Sequence, residues 1–262
     1  MREAVYSGTR NLYPHMETAA KSLIANSNVE RVWLLIEDEE FPFEMPDMVE
    51  TIDVHDQRWF GPRSANIKTQ FSYMSLLRVC YTKLIPEAER ILQLDVDTVV
   101  VDDISDLWNI DMGGAWLAAV REPPRYIGEG DKRQRIDYKP WGEDYFNIGV
   151  AMFNLAKIRA DGQDDWLIHV LNTEKLNWID QDAWNKYHRR RYVDLQTRYN
   201  ESMVTGYTDR PAIIHFAGYG NAWIDPSDPK HREIPRLEHL RKYREMGWDE
   251  VMEMHGKISS DK

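Results

Sequence analysis

Residues 90–101 read Arg-Ile-Leu-Gln-Leu-Asp-Val-Asp-Thr-Val-Val-Val, an apolar run interrupted by two carboxylates, Asp95 and Asp97. A buried strand gains from every apolar side chain, so two acids in mid-run oppose folding unless another charge offsets theirs. Side chains two apart on a strand point to the same side, which predicts that Asp95 and Asp97 grip one cation together. The pattern therefore asks for a central strand that ends in a divalent-metal site.

The 262 residues fit one large domain, or one domain with a small appendage. A hydrophobic content of 42%, with 10 Trp and 13 Tyr, supports a substantial core. The formal net charge of −11 argues against a general binder of nucleic acid or anionic membrane. An anionic ligand would need local help from a metal or a few placed arginines. The single cysteine, Cys80, sits among Leu76, Leu77 and Val79 and reads as core. It cannot form an internal disulfide, and Met1-Arg2-Glu3 leads into Ala4-Val5-Tyr6 without a signal peptide. No apolar run approaches the ~20 residues of a membrane span. The expectation is a cytoplasmic protein.

Short apolar runs alternate with helical patterns. Strands are expected at Ala4–Ser7, Arg31–Ile36, Thr51–Val54, Ala115–Val120, Gly149–Leu155 and Ile213–Phe216. Helices are expected at Tyr13–Asn26, with Met16, Ala19, Ala20, Leu23 and Ile24 on one face, and at Ser72–Leu84, stopped by Pro86. Such alternation implies a largely parallel sheet covered on both faces, with ligands bound beyond the carboxyl ends of its strands. Asp103–Trp108 reads as a short capped helix. The polar stretch Arg121–Asp144 is too long for a simple connector, and reads as a lid, a binding loop or a disordered segment. Trp248, Val251, Met252 and His255 mark an amphipathic helix expected to pack on its own domain.

Two chemistries use an Asp-x-Asp pair. Both carboxylates can hold Mg²⁺ or Mn²⁺ against a diphosphate leaving group, or the first can attack phosphate as a nucleophile. Asp95-Val96-Asp97-Thr98-Val99 fits the second pattern as seen in haloacid-dehalogenase phosphatases, which usually begin with it, whereas 94 residues precede it here. A second constellation, His215-Phe216-Ala217-Gly218-Tyr219-Gly220-Asn221-Ala222-Trp223, follows the strand Ile213-Ile214. Its glycines give a backbone able to approach a phosphate closely. Two carboxylates and one imidazole suit Mn²⁺.

With these residues in view the chain resembles glycosyltransferase family 8, retaining enzymes of the glycosyltransferase-A fold, over roughly residues 4 to 223. Ser75-Leu76-Leu77-Arg78, Leu84-Ile85-Pro86 and Ile91–Asp97 resemble the family's Arg-bearing helix and metal motif. Tyr145-Phe146-Asn147-Ile148-Gly149-Val150 resembles its Phe-Asn-Ser/Ala-Gly-Val strand, and Asp180-Gln181-Asp182-Ala183-Trp184-Asn185 its Asp-Gln-Asp-x-x-Asn helix. Arg198-Tyr199-Asn200 and the His215 turn complete the order. The resemblance implies that Asp95, Asp97 and His215 hold Mn²⁺ (or Mg²⁺), which bridges the diphosphate of a UDP-sugar. It assigns Thr9 and Tyr13 to the uracil, Tyr13 by stacking, and Arg78 to the phosphates or donor sugar. It assigns Asn147 and Asp180 to sugar hydroxyls, Gly218 to the phosphate turn, and Gln181 to the space beneath the anomeric carbon. A Gln amide is a poor nucleophile, which favours an oxocarbenium-like path with Gln181 stabilising charge; Asp180 is the rival.

Several positions depart from the family pattern. Asn221 and Ala222 stand where the family's turn usually has Lys-Pro, removing one phosphate-neutralising charge that Arg10 is a candidate to replace. Ile148 replaces a small residue beside the donor sugar and is expected to narrow the pocket. Trp59, Trp141, Trp178 and Trp184 are candidate acceptor platforms, Trp141 foremost because it lies in the long polar loop. The resulting expectation is a catalytic domain over 1–224 and a helical extension over 225–262. It would transfer a hexose from a UDP-sugar to a glycan or other hydroxyl acceptor, with Mn²⁺ and with retention. The alternatives are a catalytically silent UDP-sugar- or glycan-binding relative and a haloacid-dehalogenase-type phosphatase.

Overall fold

Most of the apolar runs become the strands of one central sheet, and the amphipathic segments cover its two faces. The computed structural model of the chain describes residues 1–123, 126–127, 134–135, 144–188, 191–217 and 225–260. Strand β1 (Glu3–Ser7) leads into helix α1 (Tyr13–Ala25), then β2 (Arg31–Ile36) and β3 (Val49–Asp53). A 3-10 helix over Tyr73–Cys80 runs into the α turn α2 (Tyr81–Leu84), ahead of β4 (Arg90–Leu94) and the short β5 (Thr98–Val100). β6 (Leu117–Arg121), the pair β7 (Tyr126–Ile127) and β8 (Gln134–Arg135), and the long β9 (Phe146–Asn154) follow. Helices α3 (Leu155–Ala160), α4 (Gln163–Thr173) and α5 (Ile179–His188) precede β10 (Tyr192–Asp194) and β11 (Ile213–His215). Then come α6 (Leu237–Glu245) and α7 (Trp248–Ser260).

The main sheet has seven strands in the order β10-β6-β9-β4-β1-β2-β3. β1 runs parallel to β2 and β4, β2 to β3, and β10 to β6, while β9 is antiparallel to both its neighbours. The mainly parallel sheet is as expected, with β9 its reversed member. The carboxyl ends of β1, β4 and β6 and the amino end of β9 therefore share one edge. Alternation along each strand feeds two cores: Ala4, Tyr6 and Leu92 pack with α1 and the C-terminal helices, and Val5, Ile91 and Phe153 with the 3-10 helix, α4 and α5.

The continuous strand expected over residues 90–101 does not form. β4 ends at Leu94, Thr98 N donates to Asp95 O at 3.1 Å, and β5 joins a separate antiparallel ribbon with β11. Asp95 and Asp97 thus meet across a turn, not by strand alternation. The cause is the cost of carrying two carboxylates inside a sheet buried on both faces. The Ser72–Leu84 helix is likewise mostly 3-10 in form, its start capped by Ser72 Oγ accepting from Met74 N. The expected short helix at Asp103–Trp108 reduces to a 3-10 turn at Leu107–Asn109.

The C-terminal amphipathic helix packs against α1, as expected. Val251 is fully buried, His255 Nδ1 lies 3.1 Å from Ile24 O and 3.0 Å from Ser27 O, and Asn26 Nδ2 donates to the Tyr243 hydroxyl. Among the described residues no helix is long and apolar enough to cross a membrane.

Candidate active site

The edge shared by β1, β4, β6 and the start of β9 collects the polar residues that the sequence singled out. Asp95, Asp97 and His215 each offer a ligand atom, and these atoms lie within 4.8 Å of one another. His215 Nε2 is 3.2 Å from Asp97 Oδ1 and 3.6 Å from Asp95 Oδ2. The β5–β11 ribbon sets this approach, because it pairs His215 with Thr98, one residue past the turn. The backbone of Phe216 then donates to Asp97 O at 2.9 Å.

Arg78 reaches this cluster from the 3-10 helix. Its guanidinium bonds Asp95 Oδ1 and, at 3.2 Å, Asp180 Oδ2 at the start of α5. Gln93 Nε2 adds a bond of 3.1 Å to Asp95 Oδ1. Burial pushes the Asp95 carboxyl above its ordinary range despite the Arg78 charge. Burial acts on Asp97 too, but the charge and hydrogen bond of His215 outweigh it and hold that carboxyl low. His215 is raised in return, its two carboxylates overcoming the desolvation that opposes its charged form. Burial lifts Asp180 to about 6.

A hydrogen-bond chain connects the cluster to Asn147 and Gln181. Asn147 Oδ1 accepts from the backbone of Gly149 at 2.9 Å, which fixes the orientation of its amide. Asn200 Nδ2 donates to that same oxygen at 2.9 Å, so Asn200 Oδ1 faces His215 Nδ1, again at 2.9 Å. The backbone of Gly149 thereby makes Nδ1 the protonated ring nitrogen of His215 and turns Nε2 toward the carboxylates. Asn147 Nδ2 donates to Glu122 Oε1 at 2.8 Å, and Gln181 Nε2 donates to the same oxygen at 3.2 Å and to Tyr145 Oη at 3.1 Å. Gln181 Oε1 accepts from Ile148 N at 3.1 Å. Tyr145 in turn donates to Asp182 Oδ1 at 2.7 Å.

Seven of the expected residues, Asp95, Asp97, His215, Arg78, Asp180, Gln181 and Asn147, thus belong to one network. Thr9 and Tyr13 do not join it. Tyr13 is 1% exposed, its ring 5.0 Å from Phe41 and its hydroxyl held between Glu37 N and Asp38 Oδ2, so it offers no open face for stacking. Thr9 Oγ1 bonds Asn11 at the end of β1. Arg10 is engaged by Asp38 and is not a spare phosphate charge. Ile148 packs in the core at 1% exposure, turned inward by the alternation of β9. Trp184 is also core, at 1% exposure, which removes it as a platform. Gly218, Asn221, Ala222 and Trp141 lie outside the described residues. Glu122, Asn200 and Tyr145 were not singled out as site residues from the sequence. Asn200 and Tyr145 stand within family-like segments, whereas Glu122 is one more acid at the edge of a polar loop.

The fold and this edge define a class, the glycosyltransferase-A fold. The crystal structure of galactosyltransferase LgtC with donor and acceptor sugar analogues aligns with a TM-score of 0.64 over 96% of this chain and 99% of that one, at 18% identity. Apo GlyE of Streptococcus pneumoniae aligns at 0.67 over 98% of this chain and 64% of that one, at 21% identity. Within that class the chain belongs to glycosyl transferase family 8, whose profile matches residues 5–226, and so to a family of glycosyltransferases. The probable glycosyl transferase Gly of Streptococcus gordonii is 25% identical over 258 residues, covering 92% of this chain and 35% of that protein. GlyA of Streptococcus pneumoniae is 28% identical over 191 residues, covering 69% of this chain and 26% of that protein. This chain thus spans about a third of the length of these relatives or less. Family membership displaces the phosphatase alternative.

Proposed function

We propose that the protein transfers a hexose from a UDP-sugar to a hydroxyl of a glycan acceptor, with Mn²⁺ (or Mg²⁺) and with retention at the anomeric carbon. The observation that carries this reading is the convergence of Asp95, Asp97 and His215 on one point, beside the Arg78–Asp180 pair. The donor set fits a hard-to-borderline divalent cation: two carboxylates, and an imidazole whose Nδ1–H is committed to Asn200. When bound, such an ion supplies Lewis-acid stabilisation of charge on the departing diphosphate. Arg78, held between Asp95 and Asp180, brings a second cation to the same place.

Gln181 is the residue assigned to the anomeric carbon. Its amide is oriented on three sides by Ile148 N, Glu122 and Tyr145, and its carbonyl keeps a second lone pair for developing positive charge. Because an amide is a poor nucleophile, the reading favours an ion-pair route in which the departing phosphate takes the acceptor's proton. Asp180 and Asn147 would bind sugar hydroxyls.

Thermal unfolding with UDP, with and without Mn²⁺, against GDP, ADP and phosphate tests the reading. A ligand at ~100 times its dissociation constant adds about 2.7 kcal/mol of stability. The expected result is a UDP shift that requires Mn²⁺, together with UDP release from a UDP-hexose. No shift with any nucleotide would overturn the donor site. A shift without turnover on any donor would mark the silent relative that Asn221 and Ala222 suggest.

A further inference from the structure

Glu122 is 5% exposed and lies one residue beyond β6, where a shift in the register of the sheet aims it. β6 and β9 pair regularly from Leu117–Phe153 to Ala119–Ala151, which would set Val120 opposite Val150 and Glu122 opposite Ile148. Instead Val120 stands opposite Asn147, and Glu122 N donates to Tyr145 O at 2.8 Å. The slip from Val150 to Asn147 is an odd number of residues, so it exchanges the two faces of β9 beyond it. Tyr145 and Asn147 thereby share the face of Glu122, while Phe146 and Ile148 turn into the core. As a result both hydrogens of the Gln181 amide end on electron-rich oxygens. One goes to Glu122 Oε1 at 3.2 Å, the other to Tyr145 Oη at 3.1 Å. Tyr145 gives its own proton to Asp182 Oδ1 at 2.7 Å. Burial and the charge of Asp182 push that hydroxyl far above its ordinary range, which keeps it a donor. Asp182 is fixed in turn. Its Oδ2 accepts from Asn177 N at 3.0 Å and Trp178 N at 2.9 Å, across Ile179, whose φ of +27° is a left-handed backbone uncommon in a β-branched residue. Two buried carboxylates, one directly and one through a phenol, thus act on one neutral amide. Burying a carboxylate costs stability, and neutral acceptors would satisfy the same N–H groups.

We propose that Glu122 is a positioning residue for the transfer: with Asp182 acting through Tyr145, its charge polarises the Gln181 amide and makes Oε1 more negative toward the anomeric carbon. The proposal rests on the transferase reading and adds why an amide serves at that place. An amide nitrogen shares its lone pair with the carbonyl. Acceptors on both N–H groups draw that sharing further, so charge gathers on the oxygen. Hydrogen bonds linked in a chain strengthen one another by roughly 10–30% per bond. Ile148 N holds one lone pair of Oε1 at 3.1 Å, so the added charge is aimed as well as made. No bond from Gln181 to carbon is required, because the oxygen stabilises an ion pair by its charge.

The experiment uses the full chain with Mn²⁺, and UDP-glucose and UDP-galactose as donors. Glu122→Gln keeps the volume and an acceptor oxygen and removes the charge, whereas Tyr145→Phe removes the other acceptor. UDP release gives kcat and donor KM. The Nε2 proton resonances of Gln181, assigned by their loss in Gln181→Glu, report on the amide itself. Glu122→Gln is expected to lower kcat on the order of tenfold while donor KM changes by less than about twofold. It should also move the Gln181 resonances upfield, as a charge-assisted bond becomes a neutral one. Tyr145→Phe should act in the same direction on both readouts. The Mn²⁺-dependent UDP shift should persist in both variants, which also shows that they fold. Unmoved resonances or an unchanged kcat in Glu122→Gln overturns the proposal and leaves the donor reading standing. A loss carried entirely by KM overturns it too, since Glu122 would then serve donor binding. If Glu122→Gln does not fold, Tyr145→Phe decides by the same two readouts. If the wild type shows neither a UDP shift nor UDP release, the transferase reading falls. The resonances then decide alone: an upfield move in Glu122→Gln upholds the polarised amide, and none overturns it.

Discussion

Gly149 carries a constraint that its missing side chain conceals. A Cβ there would lie 2.1 Å from His215 Cε1 and 2.9 Å from Asp95 Oδ2, and both neighbours are tied, to Asn200 and to Arg78. Gly149→Ala is expected to cost about 1–3 kcal/mol and to abolish the Mn²⁺-dependent UDP shift; a retained shift would place the metal elsewhere. Asp97→Asn should also abolish it while leaving the unfolding midpoint without ligand close to wild type. Asp180 shows the opposing pull of function and stability. Burial pushes its carboxyl from the ordinary 3.8 up to about 6 in the folded protein, so the folded state holds the extra proton between them. Its contribution is complete at low pH and is lost as pH rises through about 6. Asp180→Asn is therefore expected to raise the unfolding midpoint by about 2–4 °C near neutral pH and above, and to change little in acid. A midpoint no higher than wild type would show that the ion pair with Arg78 outweighs burial. Asp95, Asp97 and His215 were legible because each interrupts an apolar run where only a partner explains it. Glu122 was not, since an acid opening a polar loop is ordinary until the fold brings Asn147 and Gln181 to it.

At the scale of elements, the sequence reading was accurate where hydrophobic period decides and weaker where charge does. Arg31–Ile36 is a strand over its full expected length, because a run of apolar residues buried on both faces leaves little choice. The 90–101 segment looked like the same thing and is two strands in two sheets, since the carboxylates break the ladder at the place where the site is built. The start of α5 was legible as a motif but not as a geometry: no pattern foretells a left-handed Ile179 held by a carboxylate three residues on. That carboxylate makes the prediction for this element. Asp182 is 2% exposed and accepts two backbone N–H groups and the Tyr145 hydroxyl. Asp182→Ala should cost about 2–4 kcal/mol in urea unfolding, from the lost bonds and the unpaired donors. It should also lower kcat more than donor KM, because Tyr145 no longer steadies Gln181. A stable variant with normal kcat would show that Gln181 is held by Glu122 and Ile148 alone.

At the scale of the whole molecule, α6 and α7 share a core with α1, β1 and β5, so we propose that residues 225–262 form an extension that folds with the catalytic domain in one transition. The side-chain contact between α1 and α6 is also a pH-dependent one. Arg244 Nη2 lies 3.3 Å from His15 Nδ1, so the arrangement needs the neutral imidazole as acceptor. Burial first, and then the Arg244 charge, depress His15 from 6.5 to about 4, against smaller opposing effects of Asp97 and Asp225. A depressed histidine is the mirror of Asp180. The unfolded chain binds the proton at higher pH than the folded one, so stability is intact above 6.5 and falls as pH drops toward about 4. His15→Gln keeps a neutral acceptor near Arg244 and removes the titration. Between neutral pH and about pH 5 the wild type should lose roughly 1 kcal/mol more than the variant, after allowance for the solvent that reaches this pair. Urea unfolding at the two pH values measures the difference, with every other titrating group common to both proteins. Equal losses would mean that the α1–α6 contact opens before His15 takes up its proton, and coincident far- and near-ultraviolet circular dichroism transitions would be the first evidence to fail.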